Sequence, residues 1–232
     1  MPPIQAIFFD IGDTLVFDDP PLPLRLATAF RAVGSAVDEA RFPGAYQWGE
    51  AYAMERYLTG IPWEDPQSLA EAVKLILTAL ELPVPNLAEL LTAFRAVPFE
   101  RTVPPEALAL LAELKGRGFR VGAISDWETT LPELLRELEI AKNLDALAVS
   151  EVVGVTKPDP RLFEEALRQA NVAPENSLHV GDWFELDVAG ARAAGMSAVL
   201  FDWAGRRPVA DCLRVTSFGQ LSSYLRALPD PI

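Results

Sequence analysis

Residues 4–14 read IQAIFFDIGDT, an apolar run that ends abruptly in acidic residues. The run from Ile4 to Phe9 is dense in Ile and Phe, which is typical of a central strand in a parallel sheet. Asp10 follows it at once, and Gly12 comes two residues later. Open α/β sheets bind their ligands at the carboxyl ends of the strands. The stretch therefore predicts a buried strand that carries a carboxylate to a binding site.

The same pattern returns near the other end of the chain. Residues 177–182 read SLHVGD, and Asp187 lies five residues after the last of them. Between the two patterns, residues 154–160 read GVTKPDP and supply Lys157. A phosphate monoester repels a carboxylate nucleophile, so its attack needs cations that mask charge and hold the reactants in line. Two strand-end aspartates and a lysine indicate a metal-assisted phosphoryl-transfer site.

Strand and helix patterns alternate over most of the chain. The segments with the composition of buried strands are Ile4–Asp10, Phe119–Asp126, Ala146–Ser150, Ser177–Asp182 and Ser197–Asp202. Apolar residues with helical spacing lie between the later strands, at about residues 108–114, 162–170 and 185–194. The pattern predicts an α/β fold, a Rossmann-like parallel sheet with helices on both faces.

One long segment breaks this alternation, because it offers no convincing strand. Its stretches with helical spacing are Leu26–Val33, Leu69–Leu80 and Leu87–Phe94. Prolines flank the segment at residues 20–23 and again at 98–105. We therefore predict a catalytic core of residues 1–16 and 99–232, with an all-helical domain of residues 17–98 inserted after the first strand.

Charge and cysteine content narrow the classes of partner and compartment. The 232 residues carry a formal charge of −13, with a pI of about 4.5, which argues against nucleic acid or an anionic membrane as a partner. The single cysteine, Cys212, excludes an internal disulfide and fits a reducing compartment. No apolar run has the length of a membrane span, and the first residues lack the layout of a signal peptide. We expect a cytoplasmic protein.

Four motifs in order resemble those of the haloacid dehalogenase (HAD) superfamily, whose members are mostly Mg²⁺-dependent phosphatases. The motifs are Asp10-Ile11-Gly12-Asp13-Thr14-Leu15, Ile124-Ser125-Asp126, Lys157-Pro158-Asp159-Pro160, and Gly181-Asp182 with Asp187. The resemblance covers essentially the whole chain, and the helical insert lies where the helical cap of subclass I belongs. It implies that this cap closes over the carboxyl edge of the sheet and excludes water.

The resemblance implies a role for each motif residue. Asp10 is the expected nucleophile, which forms an aspartyl-phosphate that water then hydrolyses. The expected ligands of Mg²⁺ are Asp10, the backbone carbonyl of Gly12, and Asp182, with Asp187 in support. Lys157 is expected to neutralise the phosphate and the nucleophile.

The second motif and the end of the first supply polar groups for the phosphate. Ser125 and Thr14 are expected to donate hydrogen bonds to phosphoryl oxygens. Asp126 stands where relatives often carry asparagine, and we place it beside the phosphate with Ser125. The substrate is expected to be a small phosphorylated metabolite of unstated identity, and the protein a monomer or a homodimer.

The first motif departs from the family pattern at Gly12, which replaces the aspartate that usually acts as general acid and base. Two alternatives to a phosphatase therefore stay open. A 2-haloacid dehalogenase needs no general acid, although Asp182 and Asp187 favour a metal that such enzymes do not use. A catalytically weak protein that binds a phosphate ligand is the second alternative. Phosphonate hydrolysis would need a lysine in the insert, where Lys74 lies on an ordinary helical pattern.

Several other residues have structural interpretations. We expect Asp13 to lie in a turn, Asp159 to cap a helix, and His179 to pack in the core. Trp127 and Trp183 are as well suited to covering the rim of the sheet as to lining a substrate pocket.

Overall fold

A computed structural model describes residues 3–205 and 211–231 of the chain. Its strands are β1 (Ala6–Phe9), β2 (Phe17–Asp19), β3 (Glu100–Thr102), β4 (Arg120–Ser125), β5 (Ala146–Val149), β6 (Ser177–Gly181), β7 (Ser197–Phe201) and β8 (Leu213–Val215). Its α-helices are α1 (Leu22–Ala32), α2 (Phe42–Leu58), α3 (Pro66–Ala79), α4 (Leu87–Ala96), α5 (Pro105–Gly116), α6 (Leu131–Glu137), α7 (Ser150–Val153), α8 (Pro160–Ala170), α9 (Ala189–Ala193) and α10 (Phe218–Arg226). A π-helical turn, Phe184–Val188, precedes α9.

Within the described residues, six strands form one parallel sheet in the order β5–β4–β1–β6–β7–β8. The predicted α/β architecture is confirmed, and each of the five predicted strands is present with one to three residues fewer than expected. The sequence prediction missed β8, because three residues are too few to show the alternation of a strand. The first strand of the chain lies inside the sheet, between β4 and β6.

Side chains of β1 point alternately to the two faces of the sheet, as the pleat of a strand requires. Ile7 and Phe9 belong to one apolar cluster, which includes Leu111 of α5 and Leu221 of α10. Phe8 belongs to a second cluster, which includes residues of α8 and α9. Helices therefore cover the sheet on both faces, and β1 is buried along its whole length.

The residues between β1 and the rest of the sheet form the helices α1 to α4, which share an apolar cluster of their own. The prediction that residues 17–98 are wholly helical is wrong at its first residues, since Phe17–Asp19 is the short strand β2, which pairs with β3. Helix α2 was not predicted from the sequence. Its backbone packs so closely on α3 that a Cβ atom on Gly49 would lie 2.7 Å from the side chain of Ile76.

The chain divides into two compact units. One joins the residues up to Phe17 to those from Arg101 onward, and the other runs from Asp18 to Glu100. The sequence had placed these boundaries after residues 16 and 98. In the described part of the chain, no helix is long and apolar enough to cross a membrane.

Candidate active site

The carboxyl ends of β1 and β6 bring two aspartates to one edge of the sheet. Phe9 is paired with Val180, and the backbone N–H of Asp10 donates a hydrogen bond to the carbonyl of Val180 over 2.8 Å. Asp10 therefore leaves β1 beside the last residues of β6, where Asp182 begins the following loop. Neighbouring strands of a sheet lie about 4.8 Å apart. Both aspartates are buried, with 7% and 5% of their surface exposed.

Lys157 joins two carboxylates at this edge. Its Nζ atom lies 2.5 Å from Oδ1 of Asp10 and 2.7 Å from Oδ1 of Asp187. Its backbone N–H donates to Oδ1 of Asp126 over 2.9 Å. The ammonium group and the main chain of Lys157 are thus each fixed by an aspartate, and its side chain is only 4% exposed.

Asp187 is held from several directions in the π-helical turn that follows β6. Its Oδ1 atom also contacts Nε2 of His179 at 2.9 Å, and its Oδ2 atom accepts a hydrogen bond from the backbone N–H of Trp183 over 3.0 Å. The carboxyl group lies directly against Gly181, where a Cβ atom would be 2.2 Å from its Cγ atom. Glycine at position 181 therefore makes room for this carboxylate.

Burial and charge set the protonation of this network. Burial raises the pKa of Asp10 to about 7, an effect that Lys157 opposes and Asp187 strengthens. Burial also disfavours the charged forms of Asp187 and Lys157. However, attraction to Lys157 holds the pKa of Asp187 well below its usual range, and Asp10 and Asp187 hold the pKa of Lys157 above its own. Burial lowers the pKa of His179, so this ring is neutral at pH 7.

The remaining predicted phosphate-binding residues lie at the ends of β1 and β4. Ser125 is the last residue of β4 and is buried. Asp126 follows it and accepts the hydrogen bond from Lys157, which gives it a role in positioning that the sequence did not suggest. Thr14 is fully buried, and within the described residues its hydroxyl has no hydrogen-bond partner. Its donation to a phosphoryl oxygen stays a prediction, as does substrate binding by Ser125 and Asp126.

Gly12 lies beside an indole ring. A Cβ atom built on Gly12 would lie 3.7 Å from the Cζ3 atom of Trp127, which is an ordinary van der Waals distance. Asp13, the next residue, has a φ of 52° in the left-handed region, and its backbone N–H donates to the carbonyl of Val16. Asp13 therefore lies in a turn, as the sequence predicted.

Sequence reasoning placed His179 in the core, and the ring is indeed fully buried. What it missed is the contact of this ring with Asp187. Residues two apart on a strand share a face, so His179 and Gly181 point the same way. The small residue at 181 allows the carboxylate of Asp187 to reach back to the histidine. A histidine two residues before a glycine, with an aspartate in the next turn, was the available signal.

The donor atoms at this edge suit a hard divalent cation. Asp10, Asp182 and the carbonyl of Gly12 are oxygen donors, and Mg²⁺ accepts few protein ligands because it keeps several waters. Among the described residues, no cluster of three or more Asp, Glu, His and Cys side chains has an arrangement suited to a metal ion. The predicted set of direct Mg²⁺ ligands contains only two carboxylates, those of Asp10 and Asp182. Burial is the main cause of the raised pKa of Asp10, and a cation bound beside the carboxylate would oppose it.

Comparison with known proteins identifies relatives along most of the chain. A family model described as haloacid dehalogenase-like hydrolase matches residues 4–195. The chain is 33% identical to a glyceraldehyde 3-phosphate phosphatase of Methanothermobacter thermautotrophicus, and the match covers 85% of each chain. It is 34% identical to a phosphoserine phosphatase of Thermus thermophilus, over 88% of this chain and 91% of that one. A crystal structure of an L-2-haloacid dehalogenase shares the fold, with a TM-score of 0.67, 20% identity, and coverage of 97% and 100% of the two chains.

Proposed function

The chain belongs to the haloacid dehalogenase-like hydrolases, and we propose that within this family it is a Mg²⁺-dependent phosphatase of small phosphorylated metabolites. Two relatives above 30% identity, each matched over more than four fifths of both chains, carry the names of such phosphatases. The observation that carries the proposal is the buried Lys157, 2.5 Å from Asp10 at the carboxyl edge of the sheet. A cation fixed there suits attack by a carboxylate on an anionic ester.

Asp10 is the nucleophile of the proposed reaction. One of its oxygens forms a bond to phosphorus while the bond from phosphorus to the leaving oxygen breaks, which yields an aspartyl-phosphate and the free alcohol or phenol. Water then attacks phosphorus and releases inorganic phosphate, so that the carboxylate is regenerated. The second step needs the same masking of charge as the first, since the phosphoryl group stays anionic throughout.

Lys157 favours the ionised form of Asp10 and attracts the phosphate. Two of its three ammonium hydrogens are used in the hydrogen bonds to Asp10 and Asp187. The third hydrogen is left to donate to a phosphoryl oxygen. Asp187 aims the ammonium group, and Asp126 fixes the main chain behind it. In this proposal, Asp187 supports the site through Lys157 rather than by direct contact with the substrate.

Asp10, Asp182 and the carbonyl of Gly12 are the groups that we propose to hold Mg²⁺. When bound, the ion supplies positive charge that neutralises the phosphoryl oxygens and lowers the pKa of Asp10. The dependence on Mg²⁺ also distinguishes the phosphatase from the dehalogenase alternative. By the family resemblance, an acidic fourth motif such as Asp182 with Asp187 goes with a metal, which the dehalogenases do not use.

Gly12 sets the range of leaving groups. Without a carboxylic acid at position 12, the chain lacks the group that, by the family resemblance, protonates a departing alkoxide and activates water. General acid–base help is typically worth about 10²–10⁴-fold in rate. The absence of the acid should slow the hydrolysis of aryl and acyl phosphates only slightly, because their leaving groups are stable anions. It should slow the hydrolysis of alkyl phosphates, such as sugar phosphates, much more. We therefore propose slow turnover with a preference for good leaving groups.

The test is a screen of phosphorylated metabolites, acyl phosphates and 2-haloacids, with Mg²⁺ and with a chelator. Asp10→Asn should lose all turnover and should not form a phosphoenzyme detectable by mass spectrometry. Asp13→Asn, an acid-to-amide change at the adjacent turn, is the matched control and should stay active. Release of phosphate that the chelator does not affect would contradict the role of Mg²⁺.

The haloacid dehalogenase reaction is the second candidate, and Gly12 is the observation that favours it. Halide departs as an anion and needs no proton, so an absent acid at position 12 costs such an enzyme nothing. Halide release from 2-haloacids that persists in the chelator, without hydrolysis of any phosphate ester, would select this reaction over the phosphatase.

A further inference from the structure

Trp127 lies against the position of the missing acid. A Cβ atom built on residue 12 would lie 3.7 Å from Cζ3 of Trp127, so the indole ring borders the space that a side chain at this position would occupy. We propose that Trp127 determines specificity by binding a flat, apolar leaving group at this place, an inference that rests on the proposed phosphatase function.

Hydrogen bonds fix the main chain that carries the indole ring. The backbone N–H of Trp127 donates to Oγ of Ser150 over 3.0 Å, and that hydroxyl donates to the carbonyl of Trp127 over 3.2 Å. The backbone N–H of Glu151 donates to the same carbonyl over 3.3 Å. These bonds tie the loop after β4 to the end of β5, so the ring does not depend on a mobile loop for its position.

Arg101 places a positive charge on the same ring. Its guanidinium carbon lies 4.9 Å from the centroid of the Trp127 ring, within the range of a cation–π contact. The contact orients the ring further and adds a positive charge beside it. This charge can favour a leaving group that departs as an anion.

Gly12 and Trp127 favour the same class of leaving group. At Gly12 the chain offers no proton, which favours leaving groups that are stable as anions. At Trp127 it offers an apolar, π-rich surface, which favours leaving groups that are flat. Aryl and heteroaryl phosphates meet both conditions, whereas sugar and glycerol phosphates meet neither. A contact between aromatic groups of this kind changes affinity by about three- to tenfold.

The test measures binding separately from turnover. Benzylphosphonate imitates phenyl phosphate with a carbon in place of the bridging oxygen, and propylphosphonate is its flexible, non-aromatic counterpart. Calorimetric titration of the full chain with Mg²⁺ should show about three- to tenfold tighter binding of benzylphosphonate. Trp127→Phe should retain this preference and Trp127→Leu should abolish it. Trp48→Leu, which removes an indole that is 67% exposed on α2, is the matched control and should retain it.

Two results overturn the inference. Equal binding of the two phosphonates by a wild type that hydrolyses phosphate esters overturns it and leaves the proposed function standing. A preference that survives in Trp127→Leu overturns it as well. If the wild type binds neither phosphonate and hydrolyses no phosphate ester, the proposed function fails and the inference fails with it. The wild-type ratio decides the matter even if the leucine variant does not fold.

Discussion

At the scale of the residue, two glycines of the site differ in what a methyl group would meet. A Cβ atom at Gly12 would make an ordinary contact with Trp127, whereas at Gly181 it would lie 2.2 Å from Cγ of Asp187. Contacts below 3 Å force a neighbour to move, and the neighbour here is the carboxylate that holds Lys157. Packing therefore excludes a side chain at position 181. At position 12 there is room for a Cβ atom, so the effect of a substitution there depends on its influence on the reaction.

We predict that Gly181→Ala lowers the free energy of unfolding by about 1–3 kcal/mol, as overpacking of a core typically does. It should also reduce turnover strongly, because the displaced Asp187 no longer aims Lys157. Gly12→Ala is the matched control and should change stability by less than about 0.5 kcal/mol. Urea unfolding measures both variants. Equal stability of the two would contradict the close packing at Gly181.

Asp10→Asn should become more stable relative to the wild type as the pH rises, while it abolishes turnover. The pKa of Asp10 rises from 3.8 to about 7 on folding, so between these pH values the folded state keeps a proton that the unfolded chain has lost. The free energy of unfolding of the metal-free wild type therefore falls as the pH rises through this window. Asparagine carries no charge and does not share this loss.

The measurement is urea unfolding of both proteins with a chelator, from pH 4 to pH 8. The stability of Asp10→Asn minus that of the wild type should increase between pH 4 and pH 7. A difference that does not depend on pH would show that burial does not raise the pKa of Asp10 in solution.

The sequence predicts that these residues lie at one edge of the sheet, but it does not predict their contacts. Asp10 and Asp182 were placed because strand ends converge in a parallel sheet, which is a property of topology. The contacts of Asp187 with His179 and of Asp126 with Lys157 depend on the path of the loops after β6 and β5, which no periodicity describes. Lys157 was assigned through the family resemblance, and its distance to Asp10 became measurable only in three dimensions.

At the scale of the element, short-range signals predicted the helix α8 in full. Asp159 is its N-cap, with the side chain accepting a hydrogen bond from the backbone N–H of Arg161, and Pro160 is its first residue. Helix α2 had no such signal, since its buried stripe of Phe42, Ala45, Tyr46 and Gly49 has helical spacing but includes two small residues, which give little apolar contrast in the sequence. Its packing against α3 therefore forms the element more than its own sequence does.

The start of β4 is fixed to the end of α5 by one carboxylate, which offers a test at this scale. Asp145 contacts Nζ of Lys115 at 2.5 Å and accepts a hydrogen bond from the backbone N–H of Val121 over 2.9 Å. Burial tends to raise the pKa of Asp145, but these two donors outweigh it and hold the pKa below its usual value. The ionised carboxylate therefore stabilises the fold.

We predict that Asp145→Asn lowers the free energy of unfolding at pH 7 by about 1–2 kcal/mol. The folded pKa lies below the unfolded one, so the contribution is complete above the unfolded value of 3.8 and is lost as the pH falls through the folded value. The two proteins should approach each other in stability below pH 4. Glu139→Gln, which breaks the exposed pair with Lys142, is the control and should leave stability almost unchanged.

At the scale of the whole molecule, each compact unit has its own apolar core. The clusters on the two faces of the sheet belong to the first unit, and the cluster of α1 to α4 belongs to the second. The chain leaves the first unit after Phe17 and returns at Arg101, through the paired strands β2 and β3. The hydroxyl of Thr102 contacts the carbonyl of Phe17 at 3.3 Å, so the points of departure and return lie side by side.

We predict that replacing residues 18–100 with a short Gly/Ser linker leaves a folded sheet unit. Closing a short loop between neighbouring ends costs little entropy, and no core side chain of the unit is removed. Circular dichroism and urea unfolding should show a cooperative transition. A molten or aggregated product would contradict the independence of the two cores. The family resemblance implies that the helical unit is a cap, so we expect the excised protein also to lose selectivity among phosphate esters.

The central position of β1 in the sheet has a consequence for folding during translation. Ala6 pairs with Arg120 and with Ser177, so the first apolar strand emerges more than a hundred residues before its earliest partner. At about 5–20 residues per second, translation needs roughly 6–23 s to cover that interval. During this time the helical unit is synthesised, while the nascent segment IQAIFF has no partner strand and can aggregate or pair with other chains. A cell short of nascent-chain chaperones should therefore deliver this protein largely into inclusion bodies.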